Sequence, residues 1–396
     1  MSLTLLANAA GTSSRTPAKP GSHAFSLLLA ELSGEFASRA AQYDRSGEFP
    51  YDNFRRLHEH GLQALTIPAS KGGLGGGLAD AVEVIGAVAE GDPSTALILA
   101  MQYLQHGGMH DNPHWPEHLR QRLVREAIEH GTLINSLRVE PELGSPARGG
   151  LPATVARRTA NGWRISGSKL YSTGSYGLTW YSVFARSDDA DPLVGGWLVH
   201  KDSPGIRIVE DWDHLGMRGT CSHRIDFDEV LVPLDHAVNV APASQKSPET
   251  ELDATGLLWM CALVGAVYDG VARAARAWLV DWLQTRTPSN LGAPLASLPR
   301  FQQTVGEIDS LLLVNRTLLD SAGAQRLPVA ASGQLKHLLT GNAIRVVELA
   351  LEVSGNPGLS RGNALERHYR NVLCSRIHTP QSDAVLIKAG RAALNH

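Results

Sequence analysis

Three stretches decide the reading of this chain: Leu137-Arg138-Val139-Glu140-Pro141-Glu142-Leu143-Gly144-Ser145, then Gly167-Ser168-Lys169-Leu170-Tyr171-Ser172-Thr173-Gly174, then Leu215-Gly216-Met217-Arg218-Gly219-Thr220. Each is a β-like segment that runs into a turn of Gly, Pro and small hydroxyl residues. Such turns expose backbone N–H groups and Ser/Thr hydroxyls to an anionic or heteroaromatic ligand. Around them, from 132 to about 240, apolar and polar residues alternate in short runs at 154–158, 163–169, 180–185, 196–200, 206–209 and 223–232. Asn161-Gly162 is a two-residue hairpin signal between two of these runs. This region is expected to be a β-domain.

On either side the period changes to that of a helix. Phe25, Leu28, Leu29 and Leu32, and later Val82, Val84, Ile85 and Val88, recur at helical spacing, which predicts a helical domain over 24–131. Long amphipathic segments over 255–286, 301–324, 334–353 and 383–394 predict a helix bundle within 241–396. Residues 1–23 are rich in Ala, Ser, Thr and Gly and read as a flexible tail without the basic start and apolar core of a secretory signal.

Composition narrows the function classes. The chain has 396 residues, 43% of them hydrophobic and 19% charged, enough to bury a large core shared by two or three domains. A formal net charge of −3 creates no field that would attract nucleic acid or an anionic membrane. The longest apolar runs, such as 257–267, are shorter than the roughly 20 residues that span a bilayer. Cys221, Cys261 and Cys374 are odd in number and far apart, so neither a disulfide framework nor a zinc knuckle is expected, and the reading is cytoplasmic.

Two tempting motifs have plainer explanations. The glycines of Gly72-Gly73-Leu74-Gly75-Gly76-Gly77 miss the dinucleotide-binding spacing and read as a turn before a helix starting near Leu78. His106, His110, His114 and His118 recur every four residues, but Gly107-Gly108, Pro113 and Pro116 break any helix that would align them for a metal. No metal site is expected.

In their order and separation, the three opening motifs resemble the acyl-CoA dehydrogenase superfamily, and the resemblance runs over nearly the whole chain from Ala24. It implies an α+β multidomain fold, with an N-terminal helical domain, a middle antiparallel β-domain and a C-terminal four-helix bundle. It also implies FAD, or alternatively FMN, bound between the β-domain and the last bundle. Leu137, Val139, Gly144 and Ser145 would follow the flavin's pyrimidine edge and ribityl chain. Tyr171 stands where the family has a flavin-stacking Trp, followed by Ser172, and Thr173 stands where a hydroxyl reaches flavin N5. Val139 and Pro146 replace the family's Thr and Asp around the first motif.

Leu365-Glu366-Arg367-His368-Tyr369-Arg370-Asn371 matches the family's Leu-Glu-Arg…Arg-Asp segment and makes Arg370 a candidate cofactor contact; Arg286 and Gln302 are the candidates for the adenine half. The two positions that carry the catalytic Glu in dehydrogenases hold Thr379 and Thr255 here, and Thr cannot take the α-proton of a thioester at neutral pH. Glu251 and Asp253 are the nearby carboxylates that a shift in register would bring in.

His378 resembles the C-terminal His of the family's flavin-dependent monooxygenases, such as the dibenzothiophene monooxygenases, and a pKa near neutrality would suit it to proton delivery. Asn135, Thr173 and His106 complete the candidate catalytic set. The implied activity is a two-component monooxygenase using reduced flavin and O2 on a small organic substrate, fed by a separate flavin reductase and assembled as a homotetramer. Acyl-CoA dehydrogenation with an atypical base is the alternative. From another class, the chain would be an inactive binding or assembly protein.

Overall fold

Ser22 starts the first helix by accepting the Phe25 N–H at 3.2 Å, the cap of α1 (His23–Ser46). The structure, a computed structural model, describes residues 18–142, 150–245 and 254–395, so most of the expected tail, together with Gly144, Ser145, Pro146, Glu251 and Asp253, lies outside the described residues. Helices α2 (Tyr51–Glu59), α3 (Leu78–Gly91), α4 (Pro93–Met109) and α5 (Glu117–His130) complete the first unit. Helix α4 begins at Asp92-Pro93: the Asp92 carboxylate accepts the N–H groups of Ser94 and Thr95 at 3.2 and 3.3 Å, and Pro93 occupies a position that needs no donor. Because α4 stops at Met109 and α5 starts at Glu117, His106, His110, His114 and His118 share no helix. Among the described residues no cluster of metal-ligating side chains forms.

The middle unit is one eight-stranded sheet of β1 (Leu133–Leu137), β2 (Val155–Thr159), β3 (Gly162–Lys169), β4 (Leu178–Ser187), β5 (Leu193–His200), β6 (Ile206–Val209), β7 (Arg224–Val232) and β8 (Ala237–Pro242). The order is β6-β7-β3-β2-β4-β5-β8, with β1 beside β4. Most pairs are antiparallel, but β1 and β2 both run parallel to β4, so the sheet is mixed. Gln102 of α4 serves the backbone at the start of β1: its amide donates to the Thr132 carbonyl at 3.1 Å and accepts the Ile134 N–H at 2.8 Å. The β2–β3 hairpin turns at Ala160-Asn161, one residue before the expected pair, because Thr159 and Gly162 face each other across the ladder. Gly162 is required there, since a Cβ at φ 140° would meet the Val232 carbonyl oxygen at 2.2 Å.

The closing bundle consists of α6 (Ala254–Thr285), α7 (Pro299–Gly323), α8 (Ser332–Ser354), the short α9 (Asn356–Leu359), α10 (Ala364–Leu373) and α11 (Ser382–Ala393). Helix α6 is the hub, packed by α3 and α4 of the first unit and by α7, α8 and α10 of its own. Its length and apolar composition match those of a membrane span, which the short apolar runs did not suggest, but 67% of the apolar window is buried inside the protein. The apolar residues there form the core shared by both helical units.

One ion pair fixes the sheet next to the candidate site. Glu140 and Lys169 are both withdrawn from water, with Oε1 and Nζ 2.6 Å apart. Glu140 also accepts the Ala153 N–H at 2.6 Å, the Thr154 N–H at 3.0 Å and the Thr154 hydroxyl at 2.5 Å. Burial pushes the Lys169 ammonium down to about 8 although Glu140 pulls it back up. Burial opposes charge on Glu140 as well, but Lys169, Thr154 and Ala153 together bring its carboxyl below the ordinary value. Removing one member strands the other. Glu140→Leu is expected to destabilise the fold by about 3–5 kcal/mol, and adding Lys169→Met should recover most of that loss. Thermal midpoints of the single and double variants check this; a double variant no better than Glu140→Leu contradicts it.

Candidate active site

The turn after β3 is stitched to the segment before β7. The Ser172 N–H donates to His223 O at 3.3 Å, Gly174 to Thr220 O at 2.7 Å and Ser175 to Cys221 O at 3.2 Å. The stitching turns Ser172 inward: its side chain is fully buried, with the hydroxyl 3.4 Å from Lys169 O, so it offers a ligand nothing. Thr173 is half-buried, and its Oγ1 lies 3.0 Å from Ser222 Oγ, which is 2.8 Å from Thr220 Oγ1. Asn135 on β1 donates to the Thr173 carbonyl at 3.1 Å, which joins two of the expected residues directly.

Tyr171 adopts φ 53° and is 53% exposed, so it is not a core residue of the β-domain. It meets Trp212 and His214 edge-on at 6.3 and 5.9 Å, while those two rings stack at 3.6 Å. A non-glycine residue held at positive φ beside an aromatic wall is a strained arrangement of the kind found at ligand sites.

Helix α4 lies beside this turn. A Cβ on Gly174 would come within 3.2 Å of Ile98, and one turn further on Gln102 bonds to β1. The next turn carries His106, which is buried and, among the described residues, has no hydrogen-bond partner at Nδ1. Burial drives its imidazole down to about 4.

On the bundle side His378 is half-buried, with Nε2 2.6 Å from the Tyr268 hydroxyl of α6. Its carbonyl accepts the Lys336 ammonium of α8 at 2.7 Å, and Pro380 O lies 3.4 Å from the same ammonium. Burial, assisted by the charge of Lys336, lowers the His378 imidazole to about 4, so the expectation of a pKa near neutrality is corrected. At pH 7 His378 is a neutral partner of a phenol whose own burial keeps it protonated.

Several expected cofactor contacts point elsewhere. The Leu137 side chain is buried in the core, leaving only its backbone for a ligand. Val139 gives its carbonyl to the Leu170 N–H at 2.9 Å. Arg370 is held by two carboxylates, with Asp44 oxygens at 2.9 and 2.6 Å, Glu366 oxygens at 2.8 and 2.9 Å, and Leu215 O at 2.9 Å. Its fork therefore ties α10 to α1 and to the loop at 215 and has no capacity left for a phosphate. Arg286 is exposed, and Gln302 donates to Ala296 O at 3.0 Å, so within one chain the two form no common grip. Thr255 is exposed at the start of α6, and Thr379 follows His378.

Tyr268, Lys336 and Ser222 enter the site only with the structure. The phenol of Tyr268 in an apolar helix was the available hint, since a buried Tyr hydroxyl needs a partner. Ser222, two residues beyond the third opening motif, continued its run of small hydroxyls.

Comparison with known proteins agrees with this architecture. The family models for the acyl-CoA dehydrogenase N-terminal, middle and C-terminal domains match residues 30–110, 139–230 and 262–382. YdbM of Bacillus subtilis (strain 168), itself provisionally named an acyl-CoA dehydrogenase, is 32% identical over 372 residues, covering 92% of this chain and 95% of YdbM. L-evernosamine nitrososynthase of Micromonospora sp. (strain ATCC 39149 / NRRL 15099 / SCC 1413) is 29% identical over 409 residues, 96% of this chain and 92% of its own. KijD3, solved in complex with FMN and a dTDP-linked 3-amino-4-keto sugar, superposes with a TM-score of 0.79 at 28% identity and covers 95% of each chain. The chain belongs to the acyl-CoA dehydrogenase family and with it to the flavin-dependent oxidoreductases.

The buried imidazoles make the fold sensitive to acid. His106 is lowered to about 4 and His368, also buried, to about 3, against 6.5 unperturbed. Between those values and 6.5 the unfolded chain binds protons that the folded chain does not. Stability therefore falls as the pH drops through this window, by about 1.4 kcal/mol per pH unit for each group at full effect. Thermal midpoints measured from pH 7 to 4.5 should fall, and His106→Leu should show a shallower slope than the parent; parallel slopes contradict the assignment.

Proposed function

We propose that this chain is a flavin-dependent monooxygenase that takes reduced flavin, FAD or alternatively FMN, from a separate reductase and uses it with O2 on a small organic substrate. The observation that carries the proposal is the character of the polar groups. The sheet contributes the hydroxyls of Thr173 and Ser222, and the bundle contributes the neutral pair His378 and Tyr268. Among the described residues, Lys336 is the one charged group that perturbs His378, and none perturbs His106. A carboxylate poised over a thioester α-carbon would pull either imidazole upward.

These groups fit a flavin. Thr173 and the Asn135-tethered turn offer polar contacts to a ring edge, the exposed Tyr171 offers an aromatic face, and His106 brings a buried nitrogen without a partner among the described residues. Reduced flavin, when bound, supplies the electrons that activate O2. His378 then holds or passes a proton as a neutral imidazole, with Tyr268 fixing its ring and Lys336 fixing its backbone. The similarity to nitrososynthases supports oxygen chemistry, since a nitroso group contains an oxygen that the parent amine lacks. An amine is thus one substrate class to test. A homotetramer in the cytoplasm belongs to the same proposal.

A dehydrogenase is the second reading, favoured by the 32% identity to YdbM. The two are separable. The protein should quench FMN or FAD fluorescence saturably below about 100 μM, and saturated acyl-CoA thioesters added anaerobically should leave the bound flavin oxidised. Bleaching by an acyl-CoA establishes the dehydrogenase, and absence of flavin binding removes both readings. On a substrate the enzyme oxygenates, His378→Ala should lose on the order of 10²-fold in product formation with flavin affinity nearly intact.

A further inference from the structure

Three hydroxyls beside the Tyr171 turn form a chain whose direction can be deduced. Thr220 Oγ1 lies 2.8 Å from the Met217 carbonyl oxygen, Ser222 Oγ lies 2.8 Å from Thr220 Oγ1, and Thr173 Oγ1 lies 3.0 Å from Ser222 Oγ. A carbonyl oxygen carries no proton, so the Thr220 hydroxyl donates to Met217. With its one proton committed, Thr220 can only accept from Ser222. Ser222, having given its proton to Thr220, can only accept from Thr173. Protons therefore point inward along Thr173, Ser222, Thr220 and Met217 O. Ser222 and Thr220 are buried, whereas Thr173 keeps exposed surface, so the chain meets a ligand through the Thr173 oxygen alone. That oxygen retains a lone pair and has no proton to spare.

We infer that this oriented chain makes Thr173 an acceptor toward the ligand and thereby makes the site select reduced flavin over oxidised flavin. The inference rests on the flavin reading above. Two-electron reduction of an isoalloxazine turns a bare ring nitrogen, which accepts hydrogen bonds, into an N–H, which donates one. Set beside that nitrogen, Thr173 as arranged would accept from the N–H but would set lone pair against lone pair with the bare nitrogen. One neutral hydrogen bond made in one redox state and refused in the other corresponds to on the order of tenfold in relative affinity. Such a bias suits an enzyme that captures reduced flavin from solution and lets the spent form go. Ser222 and Thr220 touch no ligand; they are positioning residues that set which way the Thr173 proton points. The Asn135 bond to the Thr173 carbonyl holds the same residue from its backbone side.

The test is a pair of anaerobic titrations of each protein, with oxidised FMN and with dithionite-reduced FMN, and FAD in parallel. Wild-type protein should bind the reduced form more tightly. Ser222→Ala removes the acceptor of the Thr173 proton, which then becomes free to serve the oxidised ring. The ratio of oxidised to reduced Kd should fall about tenfold, equivalent to a drop of about 30 mV in the two-electron midpoint potential of the bound flavin. Thr220→Val leaves Ser222 free to donate to Thr173 and should move the ratio the same way, which keeps the test decisive if Ser222→Ala does not fold. A ratio within twofold of wild type in the folded variants, or a wild-type preference for oxidised flavin, overturns the inference while the flavin reading stands. Wild-type protein that binds neither form overturns the flavin reading and the inference with it.

Discussion

A carboxylate and an ammonium removed from water govern the geometry of the site. Glu140 follows β1 and reaches the residues that lead into β2, while Lys169 ends β3 two positions before Tyr171. Their pairing joins three strand ends at one point, and the turn that carries Tyr171 and Thr173 starts from it. A buried pair gains little net stability over an apolar pair of the same volume, but it tolerates only one register, because any slip leaves a charge unpaired in a dry interior. Such an anchor suits a turn whose hydroxyl must be aimed. The Arg370 fork plays the matching part on the bundle side, fixing the loop at 215 against α1 and α10.

The site groups themselves are kept neutral. His106 and His378 are held uncharged by their surroundings, Tyr268 keeps its proton, and Thr173 offers a hydroxyl. Lys336, the charge that acts on His378, is occupied with the backbone carbonyls of His378 and Pro380. Hydrogen bonds among such groups are strengthened where water is excluded, and their positions depend on a few well-packed contacts more than on salt.

The layered order of helices, sheet and helices was legible because burial imposes period: Phe25 to Leu32 repeats like a helix and 163–169 like a strand. The Thr173 turn was legible because Gly and small hydroxyl residues in sequence have few other uses. What the sequence left hidden depends on partners brought together only by folding. Tyr268 and His378 are 110 residues apart and the Asp44 to Arg370 contact spans 326, so neither pairing has a local signature. Glu140 and Arg370 fit the motif and face inward all the same, since spacing fixes where a residue falls along the chain but not which of two neighbours its charge finds first. The pKa of His378 was misjudged for the same reason: desolvation is a property of the packed loop and its lysine.

Gln102 adds a consequence for assembly of the fold. Its side-chain amide occupies a donor and an acceptor at the start of β1 that β4 does not take, standing in for one residue of a missing strand. Open strand edges recruit strands from other molecules, and here a helix closes that opening from within the same chain. The closure exists only once α4 has docked. An unfolding event that peels the first helical unit away would therefore bare a sticky edge at the centre of the molecule, so resistance to aggregation and retention of the helical unit are one property of this protein.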